Sequence, residues 1–91
     1  MSISIKKLSD DAFEVTAADS ITTIHEVTVT DQSLTELTDN NVTKTQLLEF
    51  SFKFLLDKEP NTSILSSFDI NVISKYFSDY RDKVRRWCNE G

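Results

Sequence analysis

The chain has 91 residues, 38% of them hydrophobic and 27% charged, with a formal net charge of -5 at pH 7. That length corresponds to one domain, residues 1–91, and the composition excludes a disordered chain while leaving only a thin core. No apolar run approaches the roughly 18 residues of a membrane span. The single glycine, Gly91, excludes the glycine-built phosphate loops of nucleotide-binding proteins, so turns must come from Asp, Asn, Ser and Pro60.

Residues 1–30 alternate with period two, the mark of half-buried strands. Ile3 and Ile5 alternate with Ser2, Ser4 and Lys6. A Ser9-Asp10-Asp11 turn follows, and then Phe13, Val15 and Ala17 alternate with Glu14 and Thr16. After a second turn at Ala18-Asp19-Ser20, a β-branched run from Ile21 to Val29 places Ile21, Thr23, His25, Val27 and Val29 on one face. Short segments separated by turns predict a three-stranded antiparallel meander.

Residues 31–88 read as the helical part. Helical spacing begins at Asp31, with a capping-box pattern at Ser33-Leu34-Thr35-Glu36, and breaks at Asp39-Asn40-Asn41. Thr43-Lys44-Thr45-Gln46 is a second capping box and opens the main helix, which runs to about Asp57 ahead of Pro60. On a helical projection Leu47, Leu48, Phe50, Phe52, Phe54, Leu55 and Leu56 spread over roughly 240°, interrupted only by Ser51. Gln46, Glu49, Lys53 and Asp57 form the narrow polar stripe, in which Glu49 and Lys53 are an i,i+4 pair. Such a helix needs cover on more than one side, from its own chain or from a second copy.

Beyond a Pro60–Ser63 turn, Ile64, Leu65 and Phe68 read as a short apolar patch of one helical turn. Asp69 is the expected N-cap of the last segment, where Ile70, Ile73, Phe77, Tyr80, Val84 and Trp87 recur at spacings of three and four. That seam is either one helix or two broken at Ser78. The fold class expected is therefore α+β, a three-stranded meander followed by three to four helices packed mainly on one face.

Reactive groups are sparse. His25 is the only histidine and falls on the apolar face of its strand, where a structural, hydrogen-bonded role outweighs catalysis. Cys88 has no second cysteine or histidine implied beside it, and one His with one Cys makes no N/S metal site. The lone cysteine agrees with a reducing compartment, and the N-terminus lacks the apolar core of a signal peptide, so a cytoplasmic location is expected. The sequence gives no reason to expect a catalytic residue, metal or cofactor.

Charge is unevenly placed. Residues 1–74 hold five lysines and twelve acids, while all three arginines fall in the last eleven residues. Arg81, Arg85 and Arg86 are candidate phosphate contacts, with Tyr80 or Trp87 as a base-stacking platform. The acidic body argues against nucleic acid as a partner, and cations near a helix C-terminus also complement its dipole. The favoured reading is a non-catalytic module that binds a protein partner or itself as a homodimer. Its candidate surface is Ile73, Phe77, Tyr80, Val84 and Trp87. A nucleic-acid or regulatory module is the alternative, and an enzyme built on His25 ranks last.

Two blocks carry a resemblance. Phe54-Leu55-Leu56-Asp57-Lys58-Glu59-Pro60-Asn61-Thr62-Ser63-Ile64-Leu65, followed by Phe68-Asp69-Ile70 and Val72-Ile73-Ser74-Lys75-Tyr76-Phe77, resembles a family of small bacterial proteins with no assigned activity. Those proteins share a FLLEREPxxSIL block, a FDLxVIxxYFPEY block and an upstream HxVTV strand, echoed here by His25-Glu26-Val27-Thr28-Val29. The resemblance spans about residues 21–80 and implies a stand-alone cytoplasmic bacterial protein, without assigning any site. Ser78 stands where the family has proline, and a proline there implies a helix start.

Overall fold

The structure is a computed structural model that describes residues 2–90. Met1, at the start of the expected meander, and the glycine Gly91 lie outside the described residues. Strands β1 (Ser2–Lys7), β2 (Ala12–Ala18) and β3 (Thr22–Thr28) lead into helices α1 (Asp31–Thr38) and α2 (Lys44–Lys58). A 3-10 turn (Asn61–Ser63), strand β4 (Ser67–Asp69), α3 (Val72–Tyr76) and α4 (Tyr80–Glu90) follow. The sheet order is β1-β2-β3-β4. The first two pairings are antiparallel, with Ile5 opposite Val15 and Val15 opposite His25, as the alternation predicts.

The fourth strand corrects the expected helical turn at Ile64, Leu65 and Phe68. Phe68 lies beside Val27 in a parallel pairing, flanked by Glu26 N–H donating to Ser66 O (2.8 Å) and Ile70 N–H donating to Thr28 O (2.9 Å). The edge of β3 offers backbone groups that need partners, and this segment supplies them. Three residues are too few to show a period of two. Ile21 is also corrected: it precedes β3 and is exposed in the hairpin turn.

Caps decide the helix starts. Thr30, still extended after β3, accepts from Ser33 N–H (3.1 Å) and begins α1 three residues before the expected Ser33 cap. Ser33 is instead buried within the first turn. Helix α1 ends on Asp39 and Asn40, both in the left-handed region at φ 53° and 61°, a conformation Asp and Asn tolerate where glycine is absent. Thr43 and Gln46 form the predicted capping box of α2. Asp69 caps no helix directly; its Oδ1 accepts from Asn71 N–H (2.9 Å), and α3 starts at Val72. The last segment is two helices, with Ser78 in the break between them.

Helix α2 shows why its apolar arc is so wide. Phe52 is buried against the sheet side, 5.4 Å from the His25 ring and 6.2 Å from Phe68. On other sides Phe50 stacks on Trp87 at 4.5 Å, and Phe54 meets Phe77 at 5.8 Å and Tyr80 at 5.4 Å. Phe13, Val15, Val27, Leu47, Leu48, Phe52, Ile73, Tyr80 and Val84 belong to one continuous core. The polar stripe keeps its Glu49–Lys53 pair at 3.6 Å.

Ser51, the gap in the arc, seats Tyr80. Its hydroxyl donates to Leu47 O (2.7 Å) and accepts from the Tyr80 hydroxyl (2.6 Å), with both residues fully buried. Burial pushes the Tyr80 phenol well above its ordinary value, and the bond to Ser51 offsets only part of that. Ser51→Ala strands a buried phenol hydroxyl and is expected to cost about 1–3 kcal/mol, whereas Tyr80→Phe leaves Ser51 bonded to Leu47 and costs roughly 1 kcal/mol. In urea unfolding the double variant should lose less than the sum of the single losses; strict additivity would refute the coupling.

Lys44, 12% exposed along its side chain, ties three segments together. Its Nζ donates to Asp10 O (2.7 Å) and pairs with Asp11 (3.0 Å) and Asp31 (2.8 Å), joining the β1–β2 turn and the start of α1 to α2. The Lys44 hydrogen bond and charge hold Asp31 below its ordinary 3.8, so this stabilisation exists above that pH and is lost as pH falls through the lower folded value. Lys44 is raised above 10.5, chiefly by the Asp31 bond, and its share is lost as pH climbs through that raised value. Lys44→Met should therefore lower the urea midpoint at about pH 7, and the gap to wild type should narrow towards about pH 2. A gap independent of pH would show that the bond to the neutral Asp10 carbonyl, and not the pairing with Asp11 and Asp31, carries the stabilisation.

Candidate functional site

One concavity is an apolar groove of about 320 Å³. Leu55 and Glu59 come from the end of α2, Ser63, Ile64 and Leu65 from the turn after it, and Phe68 from β4. Helix α3 and its C-cap complete the wall with Val72, Ile73, Tyr76 and Phe77. Leu55, Ile64 and Ile73 are the buried members of this lining. Leu65 and Tyr76 are large apolar groups left 47% and 69% exposed at its margin.

Two buried polar residues fix the wall formed by residues 61–66. Asn61 donates through Nδ2 to Ala17 O (3.0 Å) and Ile21 O (2.7 Å), fastening the 3-10 turn to the β2–β3 hairpin. His25, 2% exposed, donates through Nδ1 to Leu65 O (2.7 Å). A carbonyl can only accept, so the proton sits on Nδ1, and Nε2 accepts from the Thr23 hydroxyl (2.8 Å). Both ring nitrogens are occupied, and Phe52 packs against the ring. His25 is thus buried and hydrogen-bonded at both ring nitrogens, on the inward face where the alternation of its strand put it.

The expected interaction seam divides. Ile73 and Phe77 line the groove, Ile73 as part of its buried wall. Tyr80 and Val84 are sealed in the core and offer no surface, which corrects their assignment; the apolar arc of α2 draws them inward. Trp87 is half-buried on Phe50. The phosphate-contact set is also broken up. Arg85 donates to Glu36 O (3.0 Å) and faces Asp39 (3.5 Å) at the end of α1, as a cation at a helix C-terminus does. Arg81 and Arg86 are exposed, Tyr80 is sealed in the core, and Trp87 has one ring face stacked on Phe50.

Cys88 is buried, its thiol directed at Thr38 O (3.9 Å) and Arg85 O (3.5 Å), where it packs α4 against α1. Among the described residues no three His, Cys, Asp or Glu side chains converge on one point. A second, more open depression of about 470 Å³ borders Lys44, where the charges already satisfy one another. None of the described helices is long and apolar enough to cross a membrane.

Sequence reasoning missed Glu59, Leu65, Tyr76 and Asn61. The first three lie on different elements, and the only signal was the apolar patch of Ile64, Leu65 and Phe68, which reads as a helical turn and not as a surface. No protein-family model, curated protein or solved structure matches the chain.

His25→Leu removes both ring bonds and leaves the Leu65 carbonyl short of a donor, with an expected loss of about 1–3 kcal/mol. Amide exchange should quicken at Glu26, whose N–H donates to Ser66 O in the same segment. Unchanged exchange there would show that His25 does not hold the wall.

Proposed function

We propose that the chain is a non-catalytic protein-interaction module and that the groove between α2, β4 and α3 is its contact surface. The observation that carries this is a preformed apolar groove with Leu65 and Tyr76 exposed at its margin. Anchor pockets of this kind, walled by rigid elements, are where binding energy concentrates in protein interfaces. The occupied nitrogens of His25 and the buried thiol of Cys88 support a non-catalytic role. A separate partner fits better than a second copy, because the α2 arc that motivated a homodimer is packed by the chain's own Phe68, Phe77, Tyr80 and Trp87.

The same reading takes the helices to lie mainly on one face of the sheet. Buried Phe13, Val15, Ala17, His25 and Val27 alternating with exposed or half-buried Glu14, Thr16, Ile24 and Glu26 support it. A cytoplasmic setting and kinship with the small bacterial proteins belong to the proposal too, supported by the lone cysteine and the two C-terminal blocks.

Leu65→Ser with Tyr76→Ser tests the surface. Both side chains are exposed, so each change should alter stability by less than about 0.5 kcal/mol. A partner recovered with wild type should be lost with the double variant, and sedimentation should show a monomer. Equal recovery of the same partner by both proteins would refute the groove as the contact surface.

A further inference from the structure

We propose that the groove selects a protein segment that presents a bulky apolar side chain next to a lysine or arginine, with Glu59 supplying the counter-charge. This rests on the reading of the groove as the contact surface. Its lining is apolar apart from Ser63, Glu59 and the Tyr76 hydroxyl, and no cation among the described residues lines it. Glu59 is half-buried at the C-cap of α2 and, among the described residues, forms no ion pair. The adjacent Lys58 is engaged elsewhere, 3.8 Å from Asp79 and 5.0 Å from the centre of the Phe54 ring.

Charge therefore sets the choice of occupant. A carboxylate already partly withdrawn from water gains more from an arriving cation than a fully exposed one does. An acidic segment meets Glu59 and the -5 charge of the whole chain. Volume sets the anchor. About 320 Å³ is at the lower end for ligand sites and suits one or two large side chains. The cation belongs beside the anchor, since Glu59 shares the groove with Leu55, Ile64 and Phe68.

The test is an NMR titration of the full chain with four probes: acetyl-phenylalanyl-lysine amide, its glutamine and glutamate counterparts, and 2-phenylethylamine. The lysyl probe should shift the amides of Glu59, Leu65, Val72 and Tyr76 and bind roughly fivefold more tightly than the glutaminyl probe, with the glutamyl probe weakest. Glu59→Gln should erase the lysyl preference while leaving the glutaminyl probe unchanged. Equal binding of the lysyl and glutaminyl probes to wild type would overturn the charge selection and leave the groove reading standing. Binding of 2-phenylethylamine as tight as the lysyl probe would make the occupant a small amine and overturn the protein-segment assignment. Failure of every probe to shift the groove amides would overturn both readings.

Discussion

Ser51 occupies the one small position in an otherwise bulky apolar arc, and the arrangement of the last third of the chain follows from it. A larger residue there would hold Tyr80 away from α2, while alanine would leave its hydroxyl buried without an acceptor. With serine, the phenol donates to the Ser51 hydroxyl, which donates in turn to the Leu47 carbonyl. This chain of bonds lets a large aromatic ring enter the core with its polar end satisfied. Tyr80 also begins α4, so seating it fixes where α3 must stop and where the chain must turn. Phe54, one turn along from Ser51, then meets both Tyr80 and Phe77, and Phe50 meets Trp87.

A second set of bonds determines what is left uncovered. Asn61 and His25 hold the chain after α2 against the β2–β3 hairpin and β3, so that β4 can pair with β3. Covering Phe52 from the sheet side and Phe54 from the α3–α4 side draws the two walls to different faces of α2. The groove is the space between those walls. Its shape thus comes from hydrogen bonds outside it, and its apolar lining from the end of the same arc that builds the core.

The meander and the capping-box start of α2 were legible because each rests on local chemistry: alternation over five or more residues, and a Thr-x-x-Gln pair that satisfies its own backbone. The aromatic arc was legible as an excess that demanded cover. Strand β4 was not, since three residues take their conformation from the edge they join and not from their own pattern. Thr30 was passed over as a cap because it closes a β-branched run and reads as strand. Tyr80 and Val84 shared a periodic seam with Ile73, Phe77 and Trp87, and periodicity alone cannot say whether a seam meets its own domain or another. The groove was hidden for a different reason: its residues come from four elements brought together only by tertiary structure.

The pairing of β3 with the segment around β4 joins positions 40 residues apart, as His25 and Leu65 illustrate. Closing a loop of that length sacrifices chain entropy before any contact is gained, so this step is expected to follow the local hairpins and helices in folding. The groove wall comes into being at the same moment. A nascent or damaged chain that keeps its meander and α2 but has not closed this loop would have no groove to offer. On the proposed function, contact at this groove requires a molecule that has finished folding, so the groove carries a built-in check on its own maturation.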